Sequence, residues 1–226
     1  MPSPQDIRTT IHPLYAVPLL ESHLPDAARV NAELAQLFLA LEAEGDRHRN
    51  TTSRDTQHGL FESDFNLHRR PEPAVRALFA FIDENLRTLI QGMNGYDDAQ
   101  MANIVTTMHS WFHVTRNGGF QGTHDHPNAS WSAIYCVDPG DSAAESSGLV
   151  RFHDPRTAAS MHRDPGNENM QVPYRLGAWQ LRHRAGQLIA FPSYLMHEVF
   201  PYLGQRPRIV VAINAWCSLK TAPGRG

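Results

Sequence analysis

From about residue 100 onward the chain is written in short runs of β-branched and aromatic residues cut apart by turn-forming clusters, and this alternation limits the fold more than any other feature. The runs are ANIVTTMHSWFHVTR, SWSAIYCV, GLVRFH, AWQLRH, QLIAF, HEVFPY and RIVVAINAW, with Pro, Gly, Asp and Asn gathered between them. Asn117-Gly118-Gly119 reads as a turn closing the first run. One longer insertion, residues 155 to 174, carries MHRDPGNENMQ and reads as a lid. No helical period of useful length interrupts the series. Many short strands with tight connections predict a sandwich or barrel.

The first hundred residues have a different texture. Residues 25 to 44 carry Ala28, Leu34, Leu37, Phe38 and Leu41 at helical spacing, with Pro25-Asp26 as a start and Gly45 as a stop. Residues 73 to 91 repeat the pattern with Val75, Leu78, Phe79, Ile82, Leu86 and Ile90. Stripes of that width pack against a sheet. The polar stretch 46 to 58 and the segment GLFESDFNLHRRPEP (59 to 73) read as irregular. The expected organisation is one domain over 1–226: a helical elaboration over 1–100, a β core over 101–217 and a flexible tail over 218–226. At 226 residues and 41% hydrophobic content, such a core is affordable in size.

Charge and cysteine usage exclude several classes. The formal net charge is −3 and the basic residues are scattered, so nothing points to nucleic acid or an anionic membrane. Cys136 and Cys217 form no CxxC and sit in apolar runs, so free buried thiols in a reducing compartment are expected. MPSPQDIRTT lacks the character of a signal peptide, and LYAVPLL is too short to span a bilayer. A soluble cytoplasmic protein is the expectation. GxSxG is absent, and neither cysteine is placed as a nucleophile.

Histidine carries the chemical information. Of thirteen, His12, His23, His48, His58 and His68 lie among polar or Pro-rich neighbours and receive no role; His183 in QLRHRAG reads as the solvent face of a strand. His124-Asp125-His126 is different. In an extended chain residues i and i+2 share a face, so His124 and His126 would point together and Asp125 away. That is half of a metal site, or else a polar turn before Pro127. Further on, His197 opens HEVFPY, and Leu203-Gly204 reads as a hairpin turn to RIVVAIN. Such a hairpin would bring Arg208 diagonally across from His197, with Cβ atoms roughly 7–8 Å apart. Arg208, Val210, Ala212 and Asn214 then share one face, with small residues leaving room for a ligand. An anion chelated by a metal on His197 and gripped by Arg208 would fit there.

The ordered set His124-Asp125-His126-Pro127, Ser132 and Tyr135, Phe191-Pro192-Ser193, His197 and Arg208 resembles the iron(II)/2-oxoglutarate-dependent dioxygenases, and among them a group of small 2OG-Fe(II) oxygenases with an HxHP motif. The resemblance covers about residues 105 to 217. It implies a double-stranded β-helix (a cupin-like jelly roll) with the helices packed outside. It implies Fe(II) on His124, His126 and His197, 2-oxoglutarate as cosubstrate with O2, and Arg208 on the far carboxylate. Ser132, Tyr135 and Asn214 are further expected contacts of 2-oxoglutarate. The reaction implied is hydroxylase-type oxidation of a substrate coupled to decarboxylation of 2-oxoglutarate to succinate. The wider superfamily uses two histidines and a carboxylate, whereas His126 stands in the carboxylate's place. A three-histidine site is favoured here, with Asp125 (through a bulge), Asp154 or Glu198 as alternatives. Trp111, Trp131 and Phe120 are candidates for the substrate wall. The substrate, small molecule or peptide, and the oligomeric state are not specified. Two other readings share the barrel: a cupin-type metalloprotein that does not use 2-oxoglutarate, and a non-catalytic jelly-roll binding module.

Overall fold

The computed structural model describes residues 9–52, 54–158 and 162–220. Among these, three helices and nine strands follow the chain in the order β1 (Leu20–His23), α1 (Ala27–Ala43), β2 (Gln57–Glu62), α2 (Pro73–Asn94), α3 (Asp98–Ala102), β3 (Ile104–His124), β4 (Trp131–Asp138), β5 (Val150–Phe152), β6 (Trp179–Leu181), β7 (Gln187–Pro192), β8 (His197–Val199) and β9 (Arg208–Leu219). The strands form one antiparallel sheet ordered β1-β7-β4-β9-β3-β8-β5-β6, with β2 paired to β3. The sheet curls into the half-barrel of a jelly roll.

The two long helices form where the apolar spacing predicts them. In α1, Val30, Leu34, Phe38 and Leu41 are buried; in α2, Val75, Leu78, Ile82, Leu86 and Leu89 are. Pro73 opens α2 at a position where its missing N–H costs nothing, and Gly95 (φ 64°) ends it in the left-handed region. These stripes cover the outer face of the sheet around Phe112, Val114, Tyr135, Leu188 and Val211. Phe38 and Phe112 stack 4.3 Å apart, nearly parallel. A second cluster, Ile134, Val150, Phe152, Ile189, Phe191 and Val210, fills the concave side. Alternate residues of each strand therefore serve different cores.

Four elements differ from the sequence reading. Asn117-Gly118-Gly119 is no reversal: β3 runs through it for 21 residues. Gly118 (φ 80°) kinks the strand, and the β2–β3 register shifts between His58 and Leu60. The segment read as irregular contains β2, whose alternation is hidden by polar residues on both faces. The hairpin at Leu203-Gly204 does not form, because β8 and β9 do not pair with each other: β9 pairs with the first half of β3 and β8 with its end. The β core also extends past residue 217, since β9 reaches Leu219; residues 221–226 of the expected tail lie outside the described residues. Cys136 is buried as expected, but Cys217 is exposed near the end of β9.

Glu62 fastens β2 to the barrel. Its carboxylate accepts from Asn50 Nδ2 (2.6 Å), Arg54 Nη1 (2.9 and 3.0 Å) and Gln57 Nε2 (2.7 Å), and His113 Nε2 of β3 lies 2.9 Å away. Burial alone would push this carboxyl up. The bond to His113, followed by those from Asn50 and Gln57, outweighs burial and holds it at about 2. Because that value lies below the ordinary 4.5, the stabilisation is complete above about pH 4.5 and fades as pH falls toward 2. Glu62→Gln should therefore lower stability at neutral pH by about 3 kcal/mol and flatten the acid limb of a stability-versus-pH curve. An unchanged acid limb would contradict this account.

A second prediction concerns the β2–β3 contact. A Cβ on Gly119 would lie 2.4 Å from the Gly59 carbonyl oxygen, whereas one on Gly118 meets nothing within 4 Å. Gly118→Ala should cost about 1 kcal/mol for its left-handed backbone, and Gly119→Ala clearly more, since two backbones must part. Chemical denaturation of the two variants gives the comparison; equal losses would mean the close approach is unimportant.

Candidate functional site

Three histidines converge at the mouth of the barrel. His124 ends β3 and is the direct register partner of His197, the first residue of β8. His126 follows two residues later, its backbone N–H donating to the Ser193 carbonyl at 2.9 Å. The ring centroids lie 4.3 Å (His124–His197), 5.0 Å (His124–His126) and 5.4 Å (His126–His197) apart. One nitrogen from each falls within 4.8 Å of the others, so a single ion can reach all three.

Their chemistry suits a metal. His124 Nδ1 lies 2.8 Å from the Gly122 carbonyl and His197 Nδ1 2.8 Å from the Leu195 carbonyl, so each Nδ1–H donates to backbone and each Nε2 keeps its lone pair. Burial lowers all three, His126 to about 4 and His197 to about 3, which leaves them neutral near pH 7. Among the described residues, no carboxylate joins this set. Asp154 is held by Arg156 (2.9 Å) and the Gly177 N–H (3.0 Å). Glu198 is held by Arg151 (2.6 Å) and His153 (3.1 Å). Asp125 borders the same cavity as the histidines but stands outside the cluster.

The cavity inside the barrel measures about 270 Å³, and Arg208 lines it together with the three histidines. Arg208 is the register partner of Thr115, nine positions before the His124–His197 pair on β3. It therefore shares the cavity with His197 without being its cross-strand neighbour, which corrects the diagonal contact expected from the hairpin. Arg208 is 3% exposed, and its Nη2 is buried without a hydrogen-bond partner. Gly148 makes room for it: a Cβ there would lie 3.1 Å from Arg208 Cδ. Val210 and Ala212 share this face with Arg208.

Ser132 and Asn214 also line the cavity and are joined, Ser132 Oγ donating to Asn214 Oδ1 at 2.8 Å and lying 2.9 Å from Ser193 Oγ. Tyr135 does not belong to the site. It lies on the other face of β4, in the core beneath the helices, and its hydroxyl donates to Asn31 Oδ1 at 2.6 Å. Trp131 likewise packs on that core, whereas Trp111 and Phe120 line the cavity. None of the described residues of 155–174 borders it. Pro155, Arg156, Val172 and Pro173 of that segment instead line a separate cavity of about 330 Å³ with Tyr15 and Trp179.

The sequence reading passed over one wall of the cavity: Arg54, Glu62, Phe65, His109 and His113. His109, Trp111 and His113 alternate along β3, and strand parity alone places them on one face. Arg54 and Glu62 gave no such signal, because they reach the site only through the pairing of β2. His183 was read as solvent-facing and is instead 3% exposed.

Residues 109–214 match the model of the family described as "Putative 2OG-Fe(II) oxygenase". Among curated proteins no sequence matches the chain. Among solved structures, a prolyl hydroxylase from Trichoplax adhaerens, in complex with a hypoxia inducible factor peptide fragment, aligns with a TM-score of 0.61 and 16% identity, over 88% of this chain and 83% of that one. A prolyl-4-hydroxylase from Pseudomonas putida gives 0.58 and 18%, over 91% and 94%. HygX from Streptomyces hygroscopicus, solved with nickel and 2-oxoglutarate, gives 0.52 and 12%, over 89% and 83%. At these identities the structures attest the fold. The family match spans the strands that carry the histidines and the arginine, so over residues 109–214 this chain is similar to the 2OG-Fe(II) oxygenases.

Proposed function

We propose that this oxygenase holds iron(II) on His124, His126 and His197 and binds the distal carboxylate of 2-oxoglutarate at Arg208. The observation that carries the reading is the pairing, within one cavity, of three neutral imidazoles at the mouth with a buried, incompletely bonded guanidinium beyond them. Bound iron with 2-oxoglutarate and O2 supplies the oxidation of a substrate C–H bond, coupled to decarboxylation of 2-oxoglutarate to succinate.

The remaining work belongs to the chain. The two Nδ1–H bonds to backbone fix the ring planes of His124 and His197, so neither ring has to turn when an ion arrives. Three neutral ligands leave a divalent ion its full charge, which a dianionic cosubstrate offsets. Arg208 offers a planar fork of donors that stays charged even when buried, and an arriving carboxylate meets that unpaired charge. Val210, Ile134 and Phe191 line the space with apolar surface that excludes water. Ser132 and Asn214 present hydrogen-bonding groups along the way. Trp111, Phe65 and Phe120 face the substrate side, where a small molecule or a peptide side chain would sit. Glu62 holds Arg54 and His113 in that wall.

We place the enzyme in the cytoplasm on its two unpaired cysteines. No helix among the described residues is long and apolar enough to cross a membrane.

Anaerobic titration of the iron(II)-loaded protein with 2-oxoglutarate, followed by the visible charge-transfer absorption of the bidentate chelate, tests the assignment. The wild type should develop the band, and Arg208→Ala should need about a hundredfold more 2-oxoglutarate, as expected for a lost pair of charged hydrogen bonds. Arg208→Lys should recover little of this. His126→Ala should lose iron stoichiometry altogether. Iron bound in stoichiometric amount with no band at any 2-oxoglutarate concentration would move the protein to metal chemistry without this cosubstrate.

A further inference from the structure

Ser193 follows β7 and closes the Phe191-Pro192-Ser193 stretch. It is 0% exposed and meets two parts of the site at once. Its carbonyl accepts the backbone N–H of His126 at 2.9 Å, and its Oγ lies 2.9 Å from Ser132 Oγ on β4. Ser132 Oγ lies in turn 2.8 Å from Asn214 Oδ1 on β9, and Ser132 and Asn214 are register partners. Both of these line the cavity, whereas Ser193 stands outside its lining.

The direction of this chain follows from counting protons. A serine hydroxyl has one proton to donate, and an asparagine amide has distinct donor and acceptor ends. Among the described residues the Ser193 hydroxyl has a single hydrogen-bond partner, Ser132. Its buried proton must go there, because a buried donor without an acceptor loses its hydration and gains nothing. Ser132 then accepts from Ser193 and gives its own proton to Asn214, which must turn Oδ1 toward it. In the opposite arrangement Asn214 Nδ2 donates to Ser132, Ser132 donates to Ser193, and the Ser193 proton is stranded. With Oδ1 committed, Asn214 Nδ2 is left to the cavity, and among the described residues it has no hydrogen-bond partner.

The segment that carries His126 sets where in the cavity this donor stands. That segment is pinned to Ser193 by the His126 N–H, and to β9 by the Ser130 N–H, which donates to the Ala215 carbonyl at 2.9 Å, next to Asn214. Arg208 lies at the start of the same strand, paired with Thr115, whereas Asn214 is paired with His109. Asn214 therefore stands at the histidine end of the cavity and Arg208 at the other.

Resting on the assignment of iron and 2-oxoglutarate above, we propose that Asn214 donates through Nδ2 to the 2-oxo acid end of the cosubstrate, and that Ser193, acting through Ser132, is the positioning residue that holds the amide in this orientation. Arg208 then reads the distal carboxylate and Asn214 the end nearer the histidines. One residue, Ser193, fixes both the backbone of His126 and the direction of the donor beside it.

The experiment compares 2-oxoglutarate with 2-oxopentanoate, which keeps the 2-oxo acid end and lacks the distal carboxylate. Binding to the anaerobic iron(II)-loaded protein is read by the charge-transfer band and by calorimetry. Asn214→Leu should weaken both ligands by about tenfold, whereas Arg208→Ala should weaken 2-oxoglutarate alone. Ser193→Ala keeps the carbonyl that holds His126, so iron stoichiometry should stay at the wild-type value while both ligands weaken by about fivefold. That loss should vanish in the Asn214→Leu background, since Ser193 acts only through the amide. Ser193→Cys, which keeps a proton to donate, should recover part of the affinity. Wild-type affinity in Asn214→Leu would overturn the proposal, as would a loss confined to 2-oxoglutarate, which puts Asn214 at the distal end. An equal Ser193→Ala loss with and without Asn214, or a loss of iron, marks Ser193 as packing and overturns its positioning role. If Arg208→Ala weakens both ligands alike or neither, the assignment of Arg208 falls and this proposal with it; if Arg208→Ala is selective and Asn214→Leu is silent, only the proposal falls.

Discussion

The site depends on a single ladder, that of β3. Over Ile104–Thr115 this strand pairs with β9, and at Gln121 and His124 it pairs with β8. A strand can change partners in this way only if it bends, and the kink at Gly118 beside the close β2–β3 approach at Gly119 provides the bend. Every group of the site is placed relative to this strand. Trp111 and His113 stand on its first half, His124 ends it, His197 on β8 pairs with its last part and Arg208 on β9 pairs with its first. The pocket is the concave side of one continuous hydrogen-bonded strand, which fixes the distance from imidazoles to guanidinium without needing a contact between them.

That geometry separates two electrostatic demands. At the mouth, burial makes three histidines neutral and ready to share an ion. At the closed end, the same burial leaves a permanently charged guanidinium incompletely bonded. On the assignment proposed above, a cation held at one end and a guanidinium built in at the other would select a ligand with an anionic group at each end, spaced by a short chain. The apolar residues between, Ile134, Phe191 and Val210, strengthen both interactions by keeping water out. Across the cavity, the Glu62 carboxylate gathers Asn50, Arg54, Gln57 and the His113 ring to keep β2 in place, so that wall is held by polar contacts where the Ile134, Phe191 and Val210 side is held by packing.

Much of this was legible in the residues. The helical stripes of α1 and α2, the β texture after residue 100 and the paired direction of His124 and His126 follow from side-chain periodicity, a local property. Tyr135 shows how far that rule reaches when applied strictly. Ser132 and Tyr135 are three apart on one strand and cannot both face the cavity; the structure keeps Ser132 there and sends Tyr135 to Asn31 under the helices. The hairpin at Leu203-Gly204 failed for a different reason. A turn signal reports that the chain reverses, not whether the two arms pair with each other, and here each pairs with a different part of β3 instead. Trp131 and residues 155–174 were likewise assigned by size and length, which carry no direction.

The sequence by itself determined the class of chemistry, because ligand type is a matter of residue identity: two histidines one residue apart, a third before the last strand, and an arginine opening it. It also determined the layering, because helix and strand periods are written locally. Only the tertiary structure decided which polar residues share a chamber. Glu62 arrives on a strand without a readable period and Arg54 from the turn before it, and His183 sits between two exposed arginines in a stretch whose composition says surface. Its burial depends on the pairing of β4 with β7 and β9, contacts between residues far apart in the chain, and no local pattern encodes them.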